Sequence, residues 1–369
     1  MVSRVWLARA ARIVAWAFGA LLFVLAAEYQ AFAFVVSEAR HRLDRITGQT
    51  DPAPTPQQVL DRYADSASAE LTLLVTSDIK RCKRTDMPMG LLPAISNQLG
   101  WRGSYVSYRH APEGMIALAH RWPDAPILTV GDLEQGRGTT GEFANCFAPA
   151  WGALRERTLP APGNHEYITP GAFAYFDFWG EQAGPERRGY YAVTWRNWLL
   201  LSLNSEIDAQ PGSEQARWID HQLQRYPDAC VLAFFHRPAH ALSFRRFGED
   251  AMALFRQIHA AGASVVLNGH NHIYERSKPI TADGKPDEVN GMRRFTVGPG
   301  GAILAPHTPE ALPAHIDKVM IGVPGLLRLV LDDNSFSWTF HLAPDGAAGD
   351  HGKAPCRARA TSHTRTEKP

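Results

Sequence analysis

The sequence predicts an α/β fold with mixed sheets, and three observations carry the prediction. Short apolar runs of strand length end in an acid or a histidine, other runs have antiparallel character, and the composition is that of a loop-rich enzyme-like domain. In chain order, residues 71–76 (LTLLVT) lead into Ser77-Asp78, and residues 126–130 (PILTV) lead into Gly131-Asp132. Both read as buried parallel strands with an acid at the C-terminal edge, where open α/β sheets place their sites. Residues 230–235 (CVLAFF), ending at His236, and 263–267 (ASVVL), ending at Asn268-Gly269-His270, repeat the pattern. Residues 190–194, 198–203, 294–297, 326–331 and 335–342 read as antiparallel strands, the last two flanking the turn Asp332-Asp333-Asn334.

Composition narrows the class further. The chain has 369 residues, 45% hydrophobic and 20% charged, which excludes general disorder. Its 30 Gly, 26 Pro and 10 Trp argue against coiled coil, collagen and helical repeat. With 38 basic and 37 acidic residues the formal charge is +1, so nucleic-acid binding by charge is not expected and an anionic ligand needs a local site. Cys82, Cys146, Cys230 and Cys356 form no C-x-x-C pair, which argues against a structural zinc ribbon.

The N-terminus sets the expected compartment. Arg4, Arg9 and Arg12 precede an uninterrupted apolar run over residues 13–27. If Ala31-Phe32-Ala33 is a cleavage site, residues 1–36 are a removed signal peptide; if not, residues 13–36 are long enough to span a bilayer as an anchor. Either way the positive flank places the body outside the cytoplasm, where disulfides form. Residues 37–69 read as a linker carrying a short helix, 70–343 as the catalytic body and 344–369 as a disordered tail.

Four strands that each end in a metal-capable residue would be unusual by chance. Asp78, Asp132, Asn164, His236, His270 and His272 are oxygen and nitrogen donors, the set that binds two divalent or trivalent cations rather than one thiolate-bound zinc. Paired metals need a shared ligand, and Asp132, after a strand and a glycine, suits that role. In His270-Asn271-His272 the two imidazoles point the same way on an extended segment.

These residues carry a resemblance. The series Gly131-Asp132, Gly163-Asn164-His165-Glu166, His236 and Gly269-His270-Asn271-His272 resembles the calcineurin-like metallophosphoesterases, in that family's order and approximate spacing. The strings Pro162-Gly163-Asn164-His165-Glu166-Tyr167 and Gly269–Arg276 resemble the purple acid phosphatase-like branch. The resemblance implies a four-layer α/β/β/α sandwich, a dinuclear centre of Fe, Mn or Zn, and hydrolysis of a small phosphorylated substrate. It assigns Asp78 and His272 to one metal, Asn164, His236 and His270 to the other, Asp132 to both, and gives His165 contact with the transferring phosphoryl group. Two cations lower the pKa of a bound water from 15.7 toward about 7, so a metal-bound hydroxide is available at neutral pH, and a general acid helps expel the alkoxide.

Three departures qualify the resemblance. The superfamily's Asp-x-His reads Asp78-Ile79-Lys80, and the tyrosine that purple acid phosphatases place three positions after the bridging Asp is Gln135, here a weak candidate ligand. Where a second histidine is common beyond His236, the candidate phosphate contacts are His240, Arg245 and Arg246. The leading expectation is an exported phosphomonoesterase; the alternatives are a phosphodiesterase or nucleotide hydrolase of the same fold, or a non-catalytic envelope binding protein with a degenerate first site.

Overall fold

A computed structural model describes residues 30–44, 47, 53–64, 68–79, 82–84, 105–107, 111–242, 248–301 and 311–357. Its first strands are β1 (Leu71–Thr76), the ribbon pair β2 (Cys82–Arg84) and β3 (Tyr105–Ser107), β4 (Ile127–Val130) and β5 (Thr158–Ala161). Next come β6 (Tyr191–Trp195), β7 (Trp198–Ser202), β8 (Cys230–Phe234), β9 (Val265–Asn268), β10 (Tyr274–Ser277), β11 (Arg293–Val297) and β12 (Ile316–Met320). The last are β13 (Gly325–Leu331), β14 (Ser335–Leu342) and β15 (Ala348–Pro355). The helices used below are α1 (30–44), α2 (Pro56–Tyr63), α3 (Ala111–Ala119), α4 (Phe173–Trp179), α5 (Glu214–Arg225) and α6 (Glu249–Ala260).

The strands form two large mixed sheets, ordered β15-β14-β13-β1-β4-β5 and β12-β10-β11-β9-β8-β7-β6. β1, β4 and β5 are parallel, as are β7, β8, β9 and β11, while β13, β14 and β15 form an antiparallel meander. Period-2 alternation sorts the side chains. Leu73 and Val75 face a core shared with Leu200, Leu232 and Phe234 of the other sheet, whereas Leu74 faces Met115, Phe147 and Trp179. Leu199, Leu201, Val231 and Ala233 turn the opposite way, onto Ile219 of α5 and Leu254 of α6. Three apolar interfaces between two sheets and two outer helical layers make the four-layer α/β/β/α sandwich expected.

The rims of the sandwich are closed by specific pairs. The Thr55 hydroxyl and the Gln58 side chain form a capping box that starts α2, and Val59 and Leu60 enter the inter-sheet core. The Gln57 side chain donates to Thr194 O at 3.1 Å and accepts from Thr194 N at 2.9 Å, so the edge strand β6 is covered.

Two expectations change. Residues 30–44 are helical, and part of the segment read as linker docks on the body: Ser37 Oγ donates to Asp177 Oδ1 at 2.8 Å. The tail does not begin at 344, because β15 pairs with β14 and the disulfide Cys230–Cys356 ties its end to β8. Composition hid this strand: Ala348–Pro355 lacks apolar alternation, and its order comes from backbone pairing and from Asp350. The Asp350 carboxylate accepts from Tyr274 Oη at 2.6 Å, Arg276 Nε at 2.8 Å and Trp338 Nε1 at 3.3 Å, joining β10 of one sheet to β14 and β15 of the other. Cys146 is also disulfide-bonded. Residues 1–29 and 358–369 lie outside the described residues.

Candidate metal centre

The two sheets contribute equally to the site. β1, β4 and β5 deliver Asp78, Asp132 and Asn164 from one sheet; β8 and β9 deliver His236, His270 and His272 from the other. Each sequence ends its strand with a sharp change of direction. Asp78, Asp132 and His270 have φ of 53°, 52° and 68°, in the left-handed region, which costs about 1–3 kcal/mol for a side-chain-bearing residue and persists where the surroundings hold it. The close approach requires glycines: a Cβ at Gly131 would meet His236 Nδ1 at 2.6 Å, and one at Gly163 would meet Asp132 N at 2.5 Å.

The donors converge. Asp132 Oδ2 is 3.1 Å from His236 Nε2, and Asp78 Oδ1 is 3.3 Å from His272 Nε2. Asp78 Oδ2 accepts from His270 N at 2.9 Å and from Ser77 Oγ at 2.5 Å. Ligand atoms of Asp132, His236 and His270 lie within 4.8 Å of one another. His236 Nδ1 lies 2.9 Å from Val130 O, so a neutral ring donates there and turns its Nε2 lone pair toward Asp132 and toward His270 Nδ1 at 3.2 Å. Lone pairs and a carboxylate facing one another call for positive charge between them. Among the described residues Asn164 Oδ1 is buried with no hydrogen-bond partner, a further oxygen donor without a proton to accept. This donor set fits the binding of hard or borderline cations.

The same demand for positive charge shows in the proton affinity of the site. Burial alone would lower the His236 pKa, but the Asp132 carboxylate beside it pushes it up to about 10. Burial opposes ionisation of Asp132 and Asp78, yet His236 and His272 respectively hold them below the usual carboxylate range. Burial and neighbouring His236 push His270 down to about 3, the neutral form that a metal ligand needs.

His165 stands at the edge of the cluster with its side chain 23% exposed and Nε2 3.8 Å from Asp132 Oδ2. Its Nδ1 is 2.8 Å from Gly136 O, which leaves Nε2 to face the site. Glu166 holds the turns together: its buried carboxylate accepts from the amides of Asp132, Leu133 and Gly163 at 3.0, 2.9 and 2.7 Å. Burial and the Asp132 charge push its pKa up to about 8. Its bracing of two motif loops was invisible in sequence, where only its adjacency to His165 was a signal.

Other expected residues fall elsewhere. Gln135 turns its amide nitrogen, not its oxygen, toward the carboxylates, donating to Asp78 Oδ1 at 2.7 Å and Asp132 Oδ2 at 3.2 Å. In this orientation it links the two acids through its nitrogen. His240 is committed away from the cluster, with Nε2 2.9 Å from Ala282 O and its ring edge-on to Phe255. Lys80, Arg245 and Arg246 lie outside the described residues.

Oxygen and nitrogen donors at the strand ends of two facing sheets define an α/β/β/α metal-binding domain. Residues 71–274 match the family described as calcineurin-like phosphoesterase, and the chain belongs to that family. It is 26% identical over 207 residues to the probable purple acid phosphatase 20 of Arabidopsis thaliana, covering 49% of this chain and 46% of that protein. Purple acid phosphatase 18 of the same plant is 28% identical over 153 residues, covering 38% and 35%. The chain thus spans about half the length, or less, of these curated relatives. Among solved structures it superposes on the purple acid phosphatase PPD1 from yellow lupin (Lupinus luteus) seeds with TM-score 0.61 at 16% identity, covering 82% of this chain and 55% of that one. PhoD gives TM-score 0.50 at 13% identity, covering 83% and 70%.

Proposed function

We propose that the protein is a metal-dependent phosphoric ester hydrolase that acts on phosphomonoesters outside the cytoplasm. The observation that carries this reading is the convergence of Asp78, Asp132, His236, His270 and His272, with a partly exposed histidine at their edge. Asp78 and His272 would hold one cation and Asn164, His236 and His270 the other, with Asp132 shared. Such a pair, when bound, neutralises phosphate oxygens and supplies water of lowered pKa.

The chain's own residues do the rest. The Gly136 carbonyl accepts from Nδ1–H and orients the ring of His165, which as the imidazolium gives its Nε2 proton to the leaving alkoxide oxygen and is left as the neutral Nδ1–H ring. Glu166 keeps the His165 and Asp132 turns in register. The disulfide-bonded cysteines and the basic, then apolar, N-terminus support the extracytoplasmic placement.

The test is elemental analysis of the purified full chain joined to a panel of mono- and diesters with Mn, Fe, Zn and Co. Near two metal equivalents with preference for an aromatic phosphomonoester is expected. Preference for diesters would reassign the substrate class, and absence of metal and turnover would reduce the fold to a binding module.

A further inference from the structure

Helix α1 is attached to the body by one face and bare on the other. Phe34 fills the notch at Gly171 (φ 59°), where a Cβ would meet its ring at 2.5 Å, and Ala33 packs beside it on the outer core of α3 and α4. Arg187 bolts the next turn: its guanidinium donates to Ser37 Oγ at 3.0 Å, Asp177 Oδ1 at 2.9 Å and Phe173 O at 2.9 Å, and pairs with Glu38 at 3.1 Å. On the opposite face Phe32, Val35, Val36 and Leu43 are 64%, 59%, 49% and 58% exposed. Their spacing of three, four and eleven residues from Phe32 makes them one helical stripe. Among the described residues only three other large apolar side chains are exposed, and one of these, Ile168, lies between His165 and the Phe34 notch at Gly171.

A bare stripe on a rigidly docked helix needs a cover, and the chain names it. The stripe continues in sequence from the apolar run of residues 13–27, preceded by Arg4, Arg9 and Arg12, while Arg40 and Arg42 follow next to Leu43. Apolar side chains interleaved with arginine suit the boundary of acyl chains and anionic headgroups. The other reading, cleavage after Ala33, would cut through a helix that packs Ala33 and Phe34 onto the body.

We infer that the N-terminal segment is retained as an anchor and that the stripe of α1, with Ile168, lies on the bilayer surface, holding the His165 loop at the membrane. This rests on the export reading but not on the hydrolytic one. No helix among the described residues is long and apolar enough to cross a membrane.

The full chain, expressed in a host with a secretory envelope and reconstituted in phosphatidylethanolamine–phosphatidylglycerol vesicles, gives the test. Intact mass should show the N-terminal segment present after export; a chain starting at Phe34 overturns the inference. A nitrobenzoxadiazole label at V35C or I168C should lose at least about half its fluorescence to doxyl-labelled lipid, and one at V289C, on the opposite outer layer, almost none. Equal quenching at all three, or at none, also overturns it. So does a Val35 label equally shielded in lipid-free detergent, which would mean that the chain itself or a second copy covers the stripe. The double variant V35D/V36D should abolish quenching at position 168 while leaving hydrolysis of a soluble aromatic phosphate ester unchanged; retained quenching would show that the stripe does not hold that loop at the bilayer.

Discussion

His165 braces Asp132 twice: its backbone N–H donates to Oδ1 at 2.9 Å while its ring Nε2 stands 3.8 Å from Oδ2. One residue thus orients the carboxylate assigned to both cations and presents the group assigned to the leaving oxygen. The two roles separate by mutation. Asp132→Asn removes the shared charge, and turnover should fall at least about a hundredfold with the circular dichroism spectrum unchanged. Unaltered turnover would mean that the centre lies elsewhere.

His165→Ala should lower turnover by about a hundredfold or more on an alkyl phosphate, which needs protonation of its leaving oxygen. On a nitrophenyl phosphate, whose leaving group departs unaided, the loss should be much smaller. Equal losses on both substrates would assign His165 to orientation alone.

Metal content should track the two sheets. The wild-type chain is expected to bind near two equivalents, and His236→Ala near one, because His236 serves a single cation in the proposed assignment. Inductively coupled plasma measurement of dialysed protein decides this, and undiminished binding by the variant would remove His236 from the ligand set.

Asp350 makes stability pH-dependent. Burial raises its pKa, but hydrogen bonds from Arg276 and Tyr274 outweigh that and hold it below the ordinary 3.8. A depressed folded pKa contributes stability that is complete above the unfolded value and is lost as pH falls through the folded one. Asp350→Asn should therefore lower stability by about 2 kcal/mol at neutral pH, with the deficit vanishing in strong acid. A denaturant series at several pH values checks both the size and the sign.

Cys356→Ser opens a loop of 126 residues, and loss of such a cross-link costs about 2–5 kcal/mol. The midpoint of denaturation should fall accordingly, whereas KM for a soluble substrate should hold, since Cys230 opens β8 and His236 follows its other end.

Much of the architecture was legible because burial wrote it directly into the chain. Leu71–Thr76 and Ser335–Leu342 are strands with the bounds their apolar content implies. β5 (Thr158–Ala161) and β15 (Ala348–Pro355) were not legible, since TLPA and AGDHGKAP carry no periodicity and owe their order to neighbouring backbone. Asp78, Asp132, His236 and His270 stood out because each follows a readable strand, whereas Asn164 follows the unreadable β5 and stood out only through the string Gly163-Asn164-His165-Glu166. The orientation of Gln135 was not legible, because sequence gives the residue type but not which end of an amide faces two carboxylates. The direction taken by His240 was not legible, because proximity in sequence to His236 says nothing of the left-handed turn, φ 56°, at that residue.

Half of the candidate ligands ride on each sheet, so cations seated among them act as rivets between the two halves of the domain. Occupancy then stabilises the packed state by mass action, and any opening of the inter-sheet core disperses the donors at once. For this chain a partly unfolded yet metal-loaded form has no structural basis: retention of metal doubles as a gauge that the sandwich is closed.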